Sequence, residues 1–402
     1  MSRHTSHPLI ILLVAGALIR LFFVFAVPLY PAQTALPGYN DEPLHLEYIR
    51  YIVKWDRLPV WRAEVSDANP LTGEYVQPPF YYLLCNTAFR FGEMLREGAG
   101  LYGARLLSLL LGLVAGLFVY WSARRITGSE PAALAAFIPI MFSPNTVFFS
   151  ALVTNDAALA CVCSMAFHSL LLNREGYGGS MRQVKTGVYL GLGVWVKYSA
   201  FVLFPLGFLA APFSRRNDEE WSSRLGERWM ASWRVLITAA AIAAPLIIWR
   251  VLLYGFTYRD VGRYTPQAAL GVSGGGLSHP LMALKLFLRY AAAPFEQTWG
   301  SGLEKVISLL FVVILCVAFV RGAREVWRIS ERWVVFGALI LMGAAFLAYN
   351  SRNFQVEFRL LAPILTPLAI VTGWGFERLG LPLWAQSIIW AAPTLIIPLL
   401  RP

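Results

Sequence analysis

Nine long apolar runs, near residues 8–30, 101–123, 131–151, 156–172, 233–256, 304–320, 333–349, 359–376 and 383–400, constrain this 402-residue chain more than any other feature. Crossing about 30 Å of hydrocarbon takes roughly 20 apolar residues in a helix. In lipid, only helices and closed barrels satisfy every backbone polar group internally. Runs of this length read as helices, so the expected class is an all-α, polytopic integral membrane protein. Composition agrees, with 57% hydrophobic, 14% aromatic and 14% charged residues, well outside the usage of a soluble globular domain. The first run follows a weakly basic start (Arg3) and is too long for a signal-peptide core, so it is expected to stay as an anchor. A net charge of +11 does not point to nucleic acid, because the arginines sit in short loops between apolar runs, where topology explains them. Cys161, Cys163 and Cys316 fall inside apolar runs and Cys85 just after a Pro-Pro turn, which gives neither a disulfide framework nor zinc spacing.

Sidedness follows from the basic clusters. Arg124-Arg125, Arg174/Arg182/Lys185, Arg215/Arg216/Arg224/Arg228 and Arg321/Arg324/Arg328/Arg332 mark loops that belong on the cytoplasmic side. The long 31–100 segment is then outside, with 257–303 and the short 350–358 loop. The run from Thr186 to Phe213 has Arg-rich loops on both flanks, which a single crossing would put on opposite faces. Parity holds if it turns back near Lys197-Tyr198. Two halves of about 13 residues at 1.5 Å each reach only about 20 Å, so the turn lies below the outer surface, against protein or a water-filled cavity. The alternative is one long tilted helix with Lys197 snorkelling. Counting the hairpin twice gives about eleven segments in a single transmembrane domain, 1–402, with the N-terminus inside and the C-terminus outside.

The first outer segment carries an unusual acidic pair in "GYNDEPLHLEYIRYIVKW". Pro43 suits the first position of a helix, and Leu44, Tyr48 and Trp55 are expected on one side with Glu47, Arg50 and Lys54 on another, as in a helix lying in the interface plane. Asp41 and Glu42 sit at its positive end, and His45, four residues after Asp41, shares its face. Only one of two adjacent acids can cap a helix, which leaves the other for whatever the loop covers. In "GEYVQPPFYYLL", Gln77 precedes a rigid Pro78-Pro79 turn that opens a second interfacial helix; Gln77 is either an ordinary helix start or a substrate contact. "NDAALA" puts Asp156 at the outer end of the fourth segment, as an N-cap or as a site residue, and "FQVEFRLLAP" brings Arg359 to the same side. Asp41, Glu42, Asp156, Lys197 and Arg359 therefore come from separate places in sequence and one expected depth. Carboxylates and cations gathered so suit a site that handles a proton and a phosphate.

At these residues the chain resembles the GT-C superfamily of polyprenyl-phosphate-sugar-dependent glycosyltransferases, in the branch of the protein O-mannosyltransferases and the lipid A aminoarabinose transferase. The matching pieces are "NDEPLHLEYIRYI", "QPPFYYLL", "RLLSLLLGL", "NDAALA", "GLGVWVKYSAF" and "FRLLAPILTPLAI", in that order from the start to about Phe376. The resemblance implies an all-helical GT-C-like fold, with interfacial helices in the first outer loop and a lipid donor entering sideways from the bilayer. By the same resemblance Asp41 matches the general base, Asp156 the second acidic position at the cavity, and Lys197 and Arg359 cationic positions near the donor phosphate. Relatives carry a large soluble insertion or a soluble C-terminal domain; neither is expected here, which leans toward a small or lipid-linked acceptor.

The residue types fit an inverting transfer. A carboxylate, Asp41 with Glu42 beside it, takes the proton of an acceptor hydroxyl as that oxygen attacks the anomeric carbon opposite the leaving phosphate, whose charge Lys197 and Arg359 meet. His45, Gln77 and Asp156 complete the expected substrate contacts. A divalent cation between Glu42 and Asp156 is compatible with this chemistry and not required by it. Expected partners are a polyprenyl-phosphate-sugar donor, a glycan, lipid or protein acceptor, and membrane lipid. The expected location is a prokaryotic cytoplasmic membrane with the site on its outer side. The alternative, a transporter or flippase of lipid-linked sugars, needs ionisable groups on broken helices at matching positions of two repeats, and only the Lys197 hairpin qualifies.

Overall fold

The computed structural model describes residues 7–27, 41–61, 70–174, 179–210, 225–254, 302–350 and 358–399. The helices in chain order are α1 (His7–Ala26), α2 (Glu42–Trp55), α3 (Phe80–Leu95), α4 (Gly100–Thr127), α5 (Glu130–Phe142), α6 (Pro144–Ala151), α7 (Asn155–Arg174), α8 (Ser180–Val196), α9 (Leu225–Tyr254), α10 (Gly302–Trp327), α11 (Arg332–Asn350), α12 (Leu365–Arg378) and α13 (Leu383–Leu399). Tight 3₁₀ segments cover Pro70–Val76, Tyr198–Ala210 and Phe358–Ile364. The chain is a polytopic all-α membrane protein. Among the described residues, α1, α4, α7 (to Asn173) and α9 (from Trp229) are each long and apolar enough to cross a bilayer, and α5 with α6 reaches that length and hydropathy only as a bent pair. Within the described residues the expected segments fall on helical structure, and Tyr198–Leu209, Arg332–Ala348 and Leu383–Ala392 are shorter apolar helices.

The run 131–151, read as one segment, breaks by 57° between α5 and α6. Pro144 has no N–H, so the Ile140 carbonyl loses its usual donor four residues on. Arg20 of α1 supplies donors instead: Nη2 gives to Ile140 O at 2.6 Å, Nη1 to Met141 O at 2.7 Å and Nε to Ser150 Oγ at 2.7 Å. A fully buried guanidinium is tolerable only with such partners. α10 and α12 approach so closely that an added Cβ at Gly375 would lie 1.7 Å from the Ala318 carbonyl oxygen.

The 186–213 run is a hairpin. Gly187 abuts Val235 and Thr238, Gly191 abuts Ala239 and Ile242, and Trp195 Nε1 donates to Ile242 O at 2.6 Å, so α8 climbs alongside α9. Beyond Lys197, whose backbone is extended, the chain descends: Gly207 abuts Leu236 and Val235, and Phe208 O accepts from Ser232 Oγ at 3.0 Å. Residues 187 and 207 share one level of α9, which excludes the single tilted helix.

α2 differs from its expected face. Its buried side carries Glu42, His45, Leu46, Tyr48, Ile49 and Ile52, while Trp55, grouped by sequence with Tyr48, is 52% exposed beneath the charges of Lys54 and Arg57. Tyr48 and Trp55 are seven apart and so share a helical side, but Trp55 is the last residue of α2, and Ile49 and Ile52 take the inward positions.

Candidate active site

Asp41 occupies the position before α2, where an acid usually caps. Its backbone is helical (φ −95°, ψ −2°) and its side chain makes no capping bond, so the carboxylate is not spent on the helix start. Its Oδ2 instead lies 3.5 Å from Nε2 of His45, one turn along, and the side chain is 18% exposed. His45 is buried; its Nδ1 is 2.7 Å from the Tyr82 hydroxyl and 3.8 Å from Glu74 Oε2. Tyr82 stacks on Tyr48 with ring centroids 3.8 Å apart. Burial above all, with Glu74 next, pushes the Tyr82 phenol well above its ordinary range, so it keeps its proton beside the imidazole. Asp41, His45 and Glu74 each offer a ligand atom, all within 4.8 Å of one another. Two carboxylates and an imidazole form a donor set suited to zinc or manganese.

Glu42, paired by sequence with Asp41 as a catalytic candidate, is held otherwise. It is buried in a bidentate pair with Arg105, at 2.8 Å from Nε to Oε1 and 2.6 Å from Nη2 to Oε2. Oε1 also accepts the Val153 N–H at 2.8 Å. Arg105 Nη1 reaches the carbonyls of Val24 and Val27 at 2.9 and 2.7 Å, closing the C-terminal end of α1. With both oxygens engaged, this is the geometry of a group that ties α1, α2, α4 and the start of α7 together, not of one that faces a substrate.

Asp156 is not an N-cap either. Thr154 Oγ1 accepts the Asp156 N–H at 3.0 Å and donates to Oδ2 at 3.1 Å, while Lys197 Nζ donates to Oδ1 at 2.7 Å. The hairpin apex thus meets the start of α7 through an ion pair in which Asp156 is fully buried and Lys197 is 18% exposed. A cation between Glu42 and Asp156 has no place, since each carboxylate already holds a basic side chain. Gln77 Oε1 accepts from Asn155 Nδ2 at 3.4 Å. Residues 42 and 77 are therefore both fastened to the 153–155 stretch, and Asp41 and Asp156 stand on the same end of the bundle. Arg359 lies in the 358–364 segment, its side chain outside the described residues, as are residues 257–301 of the expected 257–303 loop.

Residues 77–249 match the family described as Dolichyl-phosphate-mannose-protein mannosyltransferase. No curated protein matches. Among solved structures, ArnT from Cupriavidus metallidurans bound to undecaprenyl phosphate is similar at 16% identity with a TM-score of 0.61, covering 98% of this chain and 65% of that one. The Archaeoglobus fulgidus oligosaccharyltransferase in complex with zinc and sulfate is similar at 18% identity with a TM-score of 0.52, covering 96% and 51%. The chain shares the GT-C fold of these structures. It spans about two thirds of the ArnT structure's length and about half of the oligosaccharyltransferase's.

Within this fold, sequence reasoning missed Arg105, Glu74 and Tyr82. An arginine inside an apolar run costs too much to stand alone, so Arg105 was a signal that a buried acid would come to meet it. Glu74 carried no local signal: it is one acid in a polar stretch, brought to His45 only by tertiary packing.

Proposed function

We propose that this chain is an inverting glycosyltransferase that moves a sugar from a polyprenyl-phosphate-linked donor to an acceptor hydroxyl at the outer side of a prokaryotic cytoplasmic membrane. The observation that carries this reading is the convergence of Asp41, whose carboxylate makes no capping bond, and the Lys197–Asp156 pair on one end of the bundle. Asp41 takes the acceptor proton as the hydroxyl oxygen bonds to the anomeric carbon; the bond from that carbon to the phosphate oxygen breaks, and the polyprenyl phosphate leaves with the electron pair. Lys197 has three N–H donors, one of them directed at Asp156, which leaves two for the departing phosphate. Arg359 is assigned to the same charge, and His45 and Gln77 to the substrate side of the first outer loop. Glu42, held by Arg105 and the Val153 N–H, fixes the backbone beside Asp41. The whole of 1–402 acts as one transmembrane unit, and the acceptor is a glycan, lipid or protein hydroxyl.

The likeness to an undecaprenyl-phosphate-bound structure supports a lipid-phosphate donor. The test is transfer by the purified protein in detergent, from a polyprenyl-phosphate-linked sugar to hydroxyl acceptors, followed by mass spectrometry of the products. Release of polyprenyl phosphate with a new glycosidic bond is the expected result. Passage of the intact donor across proteoliposomes with no bond broken would identify a transporter instead.

A further inference from the structure

Arg250 lies near the outer end of α9, fully buried within an apolar run. Its Nη2 donates to the Gln77 carbonyl, and its Nη1 to the Tyr75 carbonyl at 3.4 Å and to the Tyr254 hydroxyl at 3.2 Å. Tyr254, one turn on and the last residue of α9, accepts the backbone N–H of Trp61 at 2.9 Å. Trp249 and Tyr254 place their rings 4.6 and 5.4 Å from the guanidinium carbon. One side chain therefore touches the turn carrying Glu74 and Gln77 and, through Tyr254, the chain leaving α2.

The physical need is plain. Pro78 and Pro79 have no N–H, so the turn before α3 cannot be held by a regular backbone ladder. The bond from the Gln77 N–H to Glu74 O, at 2.9 Å, closes the turn from one side only. A planar guanidinium with several fixed donors can take two carbonyls at once, which a lysine cannot copy. Displacing this turn moves Glu74 away from His45 and Gln77 away from Asn155.

We propose that Arg250, with Tyr254, is a positioning residue: a latch from α9 that holds the Glu74–Gln77 turn in register with Asp41, so that the first outer loop and the helix leading into the second outer segment move as one body. As a statement about catalysis this rests on the transferase reading; as a statement about the loop it does not.

The experiment has two arms on the full-length protein. Amide hydrogen exchange is compared for wild type, Arg250→Lys, Arg250→Met and Tyr254→Phe. Exchange over residues 70–77 is expected to speed up by about tenfold or more in both Arg250 variants, with α4 and α7 unchanged, and Trp61 is expected to exchange faster in Tyr254→Phe. In the second arm, kcat for transfer from an undecaprenyl-phosphate-linked sugar is expected to fall about 10- to 100-fold in Arg250→Lys, while the Kd for undecaprenyl phosphate and the donor KM stay within about threefold of wild type. Unaltered exchange at 70–77 overturns the latch whatever the catalytic arm shows. Faster exchange with unaltered kcat overturns the positioning role. If the Arg250 variants lose their fold, Tyr254→Phe decides by the Trp61 amide and by its own kcat. A wild type that transfers no sugar sinks the functional reading and leaves the exchange arm to judge the latch.

Discussion

At the level of single residues, the two adjacent acids Asp41 and Glu42 have opposite fates, and local chemistry shows why. Asp41, before Pro43, has no capping bond and keeps partial exposure, whereas Glu42 is turned inward onto Arg105. Removing one partner of a buried ion pair leaves the other charge uncompensated, at a cost of about 3–5 kcal/mol. Arg105→Met is therefore expected to lower thermal stability in detergent strongly, and Glu42→Gln less so, because the amide oxygen still accepts from Val153. Equal melting temperatures for wild type and Arg105→Met would contradict this. The acidic pair was legible because a charge-poor chain places it beside a helix-starting proline. Which acid faces the site was not, since Arg105 lies 63 positions away and only the fold selects between them. Asp156 was likewise read with a capping alternative; Thr154 performs that task, a distinction between three neighbouring polar residues that sequence spacing does not make.

At the level of elements, the α8 hairpin was readable from charge parity alone: basic loops on both sides of one apolar run require an even number of passages. The bend between α5 and α6 is not legible from the sequence, because Ser143-Pro144-Asn145 interrupts an otherwise apolar run and is also compatible with an ordinary helix start. Trp55 shows a related limit, since a period of 3.6 gives the spacing of a face but not where the neighbouring helix ends. The hairpin makes a quantitative prediction about its apex. Lys197→Met strands a buried, charged Asp156, and Asp156→Asn frees the lysine; each single variant is expected to lose stability and transfer. The double variant Lys197→Met/Asp156→Asn is expected to recover stability through a coupling of about 0.5–3 kcal/mol while transfer stays lost, because the phosphate no longer meets a cation. A double variant no more stable than the worse single one would show that the two side chains act independently.

For the whole molecule, the basic clusters read from the sequence put the Asp41, Gln77 and Asp156 elements on the face opposite the cytoplasm, an orientation that labelling tests. In a Cys316→Ala background, Trp55→Cys is expected to react with an impermeant maleimide from outside the cell, and Arg328→Cys only in inverted vesicles; the reverse pattern would put the site on the cytoplasmic side. Fold class and the order of segments were legible because membrane burial imposes a strong, local composition rule. The pairing of distant polar groups into a site was not, because it depends on how the helices pack. The measurement that bears most directly on the account is transfer of a labelled sugar from a polyprenyl-phosphate donor by purified Asp41→Asn beside wild type. The substitution preserves size and the ability to start a helix, and removes only the base, which typically contributes about 10²–10⁴-fold in rate. A folded protein with turnover reduced by that factor is the expected result; an Asp41→Asn variant transferring at the wild-type rate would contradict the role of Asp41 as base.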